Sequence, residues 1–170
     1  MKLKHNPTST ILGELPLDYV LDKAMARHKC NKLEHDGKLY ALGRMKVFGV
    51  HGCKCYYCGL KGTKVILTQD AGEAKALHLD LFAERKGSYI LMNRDHIIPA
   101  SKGGTNTVWN MRPTCQPCNT KRGNVVKPED EKLAKIQMHM KSMYCVLSRN
   151  TNLSRGMCYK LSFLVSRFCA

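Results

Sequence analysis

Two short cysteine pairs constrain this chain more than any other feature: Cys55-Tyr56-Tyr57-Cys58 and Cys115-Gln116-Pro117-Cys118. Two residues between cysteines let one tight turn present both sulfurs to a single ion. Two such turns complete the tetrahedral four-sulfur set that structural zinc prefers. The chain between the pairs is then tied at both ends, and much of the folding energy of a small core can come from the ion. Four thiolates close the shell and leave no position for a reactive water, so this zinc is expected to be structural. Cys53 is a spare thiol that could replace Cys55, but four residues between it and Cys58 make a less usual knuckle. The remaining cysteines, Cys30, Cys145, Cys158 and Cys169, read as free thiols. The total of 9 is odd, and no export signal precedes the pairs, so a secreted disulfide framework is not expected.

The charge balance points to a polyanionic partner. The 170 residues carry 28 Lys+Arg against 13 Asp+Glu, a formal charge of +15. From His96 onward the only acids are Glu129, Asp130 and Glu131, while residues 101–127 hold Lys102, Arg112, Lys121, Arg122 and Lys127 with no acid among them. A solvated basic face is the plain alternative, but such an excess on one small domain favours nucleic acid. Bound zinc thiolates would leave it strongly basic. No apolar run reaches the length of a membrane span, and the basic N-terminus lacks the apolar stretch of a signal peptide. A soluble, cytoplasmic protein is expected, in the host-cell cytoplasm if the source is a phage.

Three regions follow from local pattern. Residues 1–52 form a lead-in: Leu17, Leu21, Ala24, Met25 and His28 recur at helical spacing, so Pro16 to about Lys29 is predicted as one helix. Leu39 to Val50 reads as one or two strands broken by Gly43 and Gly49. His28, Cys30, His35 and His51 fit no ligand spacing and read as ordinary surface or core residues. Residues 53–127 hold the chemistry. Leu77, Leu79 and Leu81 alternate with polar residues, and Tyr89 to Met92 is apolar again, which predicts a β-hairpin running into Arg94-Asp95-His96. Lys64 to Thr68 is a further strand candidate, and Trp109 reads as core. Residues 128–170 open on Pro128 and three acids, a helix start. Leu133, Ile136, Met140, Met143 and Tyr144 give that helix an apolar stripe. Leu161 to Phe168 is a second apolar patch, a candidate core element or dimer surface.

Between the knuckles runs Asp95-His96-Ile97-Ile98-Pro99-Ala100-Ser101-Lys102-Gly103-Gly104, followed by Asn110, the second knuckle and Asn119. Histidine has the unperturbed pKa nearest working pH, which makes His96 the candidate general base. Asp95 is a hard oxygen donor for Mg²⁺ or Mn²⁺, and Asn119 supplies a second oxygen from the helix after the knuckle. Arg122, Lys121 and Lys102 are candidate phosphate contacts. Taken alone, an Asp-His pair at a strand end is an ordinary hydrogen-bonded pair. Neighbours on a strand also point to opposite faces, so Asp95 and His96 serve one site only where the strand ends and the backbone turns.

Over about residues 53–124 this order of features resembles the HNH endonucleases, and the knuckle followed by Asn is especially similar to zinc-containing phage members and to the phage junction-resolving endonuclease. The resemblance implies an α+β fold with a ββα-metal (His-Me finger) core, stapled by a four-cysteine zinc site at Cys55, Cys58, Cys115 and Cys118. A lead-in at 1–52 and a helical, basic extension at 128–170 would flank it. It implies Asn110 as the residue that braces the loop and orients the base. It also implies a metal-dependent DNA endonuclease of phage or homing type, with structural Zn²⁺ and catalytic Mg²⁺ or Mn²⁺. Double-stranded DNA is the expected partner and a homodimer is one route to a double-strand break; no membrane partner is expected. The competing expectation is a catalytically silent zinc-ribbon module that binds nucleic acid through phosphate contacts alone.

Overall fold

The computed structural model of the protein describes residues 9–26, 31–71 and 76–150, without the side chains of 144 and 146–150. His28, Cys30, Cys158, Cys169, the Tyr144 side chain and the patch at 161–168 lie outside that description.

Five strands make one antiparallel sheet in the order β1-β4-β5-β6-β7. They are β1 (Thr10–Leu15), β4 (Lys64–Gln69), β5 (Leu77–Arg85), β6 (Ser88–His96) and β7 (Met111–Cys115). The strand candidate at 64–68 and the hairpin at 77–96 are both present. The hairpin turn is closed by Lys86 and Gly87 at positive φ. One face of β4 and β5 buries Val65, Leu67, Leu79 and Leu81 in the main core, and the other buries Ile66 and Phe82 with Leu91. Both faces are covered, which is why β4 reads as an apolar run rather than an alternation.

The lead-in folds over the first face. Helix α1 (Leu17–Met25) inserts Val20 and Ala24 into the core. A small hairpin of β2 (Lys32–His35) and β3 (Lys38–Ala41) follows. The segment expected to continue as strand to Val50 is instead helix α2 (Met45–His51). Gly49 there is no strand breaker. A Cβ on it would stand 2.6 Å from Met25 Sδ, so glycine is what lets the two helices approach. His51 belongs to the core: Nε2 donates to the Val108 carbonyl at 2.7 Å and the ring packs edge-on to buried Trp109.

Strand β7 had no period-2 pattern to announce it, since Met-Arg-Pro-Thr-Cys carries an arginine and a proline. It lies last in the sheet, where Pro113 leaves no ladder bond unmade. All five residues are buried. Helix α3 (Gln116–Arg122) starts at Cys115, and Gly123 at φ 58 ends it. The C-terminal helix α4 (Pro128–Asn150) follows and packs against the loop residues 108–110 that precede β7. Its inward face is offset from the expected stripe. Asp130 and Gln137 are buried, Met140 packs on Val50 and Trp109, and Ile136 and Met143 are exposed. No helix among the described residues is long and apolar enough to cross a membrane.

Candidate functional site

The first knuckle is a turn built on backbone bonds. Cys55 N–H donates to the Leu60 carbonyl at 2.8 Å, Gly59 N–H to the Cys55 carbonyl at 2.9 Å, and Gly59 takes φ 71. Tyr56 N–H reaches across to the Pro113 carbonyl at 2.9 Å, which seats this turn beside β7. The second knuckle joins the end of β7 to the first turn of α3. The sulfurs of Cys55, Cys58, Cys115 and Cys118 all lie within 4.8 Å of one another. Cys53 is not among them, so the alternative ligand set with Cys53 is set aside.

The sulfurs compete for ionisation. Burial opposes a thiolate at Cys55, yet the backbone N–H groups of Cys115, Cys58 and Tyr57 point at it and bring it down to about 7. Burial, and then neighbouring Cys115 and Cys58, push Cys118 far above the usual thiol range. Four soft donors crowded in one place suit a thiophilic dication such as zinc, which would resolve the conflict by binding all of them as thiolates.

The ββα unit of the site is β6, the loop 97–110, β7 and α3. Asn110 sits at the end of that loop and ties it together. The Ile98 N–H donates to its Oδ1, and its Nδ2 donates to the carbonyls of Ile98 and Thr105. An open cleft of about 400 Å³ lies between β6, the loop and α3, lined by Arg94, Asp95, His96, Asn119 and Arg122 among others. Asn119 and Arg122 share one face of α3, three residues apart.

The backbone does not turn between Asp95 and His96. Both stay in the β6–β7 ladder, opposite Arg112 and Met111 respectively. Arg94 and His96 therefore face one way and Asp95 the other, yet all three border the cleft. His96 is half-buried, and its Nε2 donates to Asn106 Oδ1 at 2.7 Å. With Nε2 carrying the hydrogen, Nδ1 of the neutral ring is left with the lone pair.

Asp95 is buried and doubly paired. Arg112 Nε donates to Oδ2 at 3.1 Å and Arg122 Nη1 to Oδ1 at 2.8 Å. Burial pushes the carboxyl up, against the pull of Arg122 and Arg112. Both arginines also reach Asp130 of α4, and Arg112 is capped by the Tyr57 hydroxyl. Arg122, the expected phosphate contact, lines the cleft but is buried. Its side chain is 3% exposed, and it is spent on Asp95, Asp130 and the Ile97 carbonyl. Lys121 and Lys102 are exposed and do not line the cleft.

Asp95 and Asn119 remain suited to a hard cation. Each Asp95 oxygen accepts one hydrogen bond where a carboxylate oxygen can take about two, and both donors are oxygens of the kind Mg²⁺ and Mn²⁺ prefer.

Several participants had not been singled out from sequence. Asn106 was legible only as part of a Gly-Gly-Thr-Asn loop. Arg94 could have been found from alternation, since residue 94 must share a face with 96. It is exposed and also lines a second cleft, of about 270 Å³, with Arg44 and Asn119. Burial first, and then Arg44, lower its pKa. Tyr57 gave no local signal, and Asp130 was legible only as one of the three acids at a helix start.

Residues 87–133 match the family model described as HNH endonuclease. No curated protein and no solved structure matches the chain.

Proposed function

We propose, on the match of residues 87–133 to the HNH endonuclease family model, that the protein is a metal-dependent DNA endonuclease that hydrolyses phosphodiester bonds with His96 as general base. The observation that carries this is the one cleft bordered by Asp95, His96 and Asn119. HNH nucleases use a divalent metal, and here Asp95 and Asn119 would hold a single Mg²⁺ or Mn²⁺. Bound there, such an ion supplies charge neutralisation at the phosphate and the departing oxygen.

The chain's own residues do the rest. Asn106 fixes the His96 ring so that Nδ1 faces its proton donor, a water, and takes a proton as that water attacks phosphorus. Asn110 holds the loop that carries Asn106. Arg94, on the His96 face of β6, supplies a cation for the substrate backbone. Lys121 and Lys102 contribute to the wider basic surface. Cys55, Cys58, Cys115 and Cys118 would hold a zinc ion, which would tie α3, and with it Asn119, to the first knuckle.

Double-stranded DNA is the proposed substrate, with 5′-phosphate and 3′-hydroxyl products. The phage or homing assignment rests on the likeness of the knuckle-plus-Asn arrangement to phage enzymes. One site per chain cuts one strand, so a double-strand break needs a dimer or two successive nicks. The second reading, a silent zinc-ribbon binding module, draws on the double pairing of Asp95.

A supercoiled plasmid assay separates them. Wild type with Mg²⁺ or Mn²⁺ should nick or linearise the plasmid, and His96→Ala should bind it without cutting. Binding without cleavage by the wild type, on plasmid and on branched DNA alike, would favour the silent module.

A further inference from the structure

The site contains a closed charge circuit that neither the zinc knuckles nor the proposed chemistry explains. Arg112 bridges Asp95 and Asp130, with Nη1 on Asp130 Oδ1 at 2.6 Å. Arg122 bridges the same two acids, with Nη2 on Asp130 Oδ2 at 3.4 Å. The Lys127 N–H adds a bond to Asp130 at 3.0 Å. Asp130 itself is fully buried. Two guanidinium groups thus face two carboxylates, and the quartet is neutral.

That balance matters at Asp95. Charges in a poorly solvated site act on one another far more strongly than in water. With Asp130 present, half of each arginine's charge is answered from the α4 side. Without it, both cations bear on Asp95 alone and oppose any cation that approaches the same carboxylate. The geometry points to Asp130 as a positioning residue that sets the affinity of Asp95 for a divalent cation, through Arg112 and Arg122. Helix α4, beyond the expected core boundary at 127, is thereby part of the site. This inference rests on the proposal above that Asp95 holds such an ion.

The test is direct Mn²⁺ binding to full-length, zinc-loaded protein without DNA, by calorimetry, alongside thermal melting. Asp130→Asn should weaken Mn²⁺ binding roughly tenfold or more, and Arg122→Gln should tighten it. The double variant, neutral again, should return to within about threefold of wild type. A merely structural Asp130 predicts a lower melting temperature in every variant with no such ordering. A folded Asp130→Asn protein that binds Mn²⁺ as wild type does would overturn the inference. If Asp130→Asn does not fold, Arg122→Gln decides, and binding no tighter than wild type overturns it. If wild type and Asp95→Asn bind Mn²⁺ alike, the metal reading of Asp95 itself falls, and this inference with it.

Discussion

Asn110 grips Ile98 from both sides, accepting from its N–H at 3.1 Å and donating to its carbonyl at 2.9 Å. The same amide also holds the Thr105 carbonyl at 2.9 Å. One side chain therefore joins the start, middle and end of the loop that carries Asn106, the hydrogen-bond partner of His96. Asn110→Ala would orphan three backbone groups. Each such group costs about 1–3 kcal/mol when it stays dry, and some will rehydrate. A stability loss of about 2–4 kcal/mol is expected in urea unfolding, with cleavage reduced even where the protein is still folded. A variant as stable as wild type would mean the loop does not depend on this brace.

Gly104 and Gly103 should respond differently to the same substitution. A Cβ on Gly104 would lie 1.7 Å from the Ile98 carbonyl oxygen and 2.8 Å from Asn110 Nδ2, so the loop must move. Gly103 faces open space but sits at φ 83, where alanine costs about 1 kcal/mol. Thermal melts should rank Gly104→Ala clearly below Gly103→Ala. The reverse order would contradict the close approach.

Zinc content tests the ligand assignment. Metal analysis should find one zinc per chain, unchanged in Cys53→Ser and lost in Cys115→Ser. Chelation should unfold the core cooperatively, because the ion would join the first knuckle to β7 and α3. Binding should weaken as pH falls, since each sulfur must shed its proton to ligate. Loss of zinc in Cys53→Ser with retention in Cys55→Ser would reverse the assignment.

His51 makes stability depend on pH. Burial lowers its pKa below the ordinary histidine value, against the opposing pull of the Val108 carbonyl. The fold therefore holds the neutral ring, and below about pH 6.5 the unfolded chain binds a proton that the folded one refuses. Stability is complete above that pH and declines as pH drops toward the depressed folded value. Asp130 adds a loss at lower pH. Burial raises its carboxyl, but the Lys127 N–H and the guanidinium groups outweigh it and leave it below the usual carboxylate range. Its contribution is present above about pH 4 and is lost as pH falls through the folded value. Urea unfolding at pH 7.5 and 5.5 should show a drop in wild type that is smaller in His51→Gln, the remainder being the loss of zinc binding. Equal slopes in the two proteins would refute the assignment to His51.

The sequence by itself determined what depends on neighbours along the chain. The cysteine knuckles are spaced for one ion by the geometry of a single turn. Alternation marks Leu77 to Leu81 as strand, and Pro128 with its three acids marks the start of α4. The order Asp95-His96, Asn110, Asn119 was enough to suggest the HNH class. Asp95, His96 and Asn119 do border one cleft, although the strand does not end between the first two.

Only the tertiary structure decided where the charges go. Arg122 and Arg112 read as basic surface, because nothing local tells a buried arginine from an exposed one. The β6–β7 register sets Arg112 opposite Asp95, and the docking of α4 delivers Asp130 to both guanidinium groups. The same docking chose the inward face of α4, where the buried Asp130 outweighed the apolar stripe. Met45 to His51 is helix where a strand was expected, and Gly49 lets it pack against Met25 of α1. In each case the deciding partner lies far away in sequence, so its energy appears only once the chain has closed.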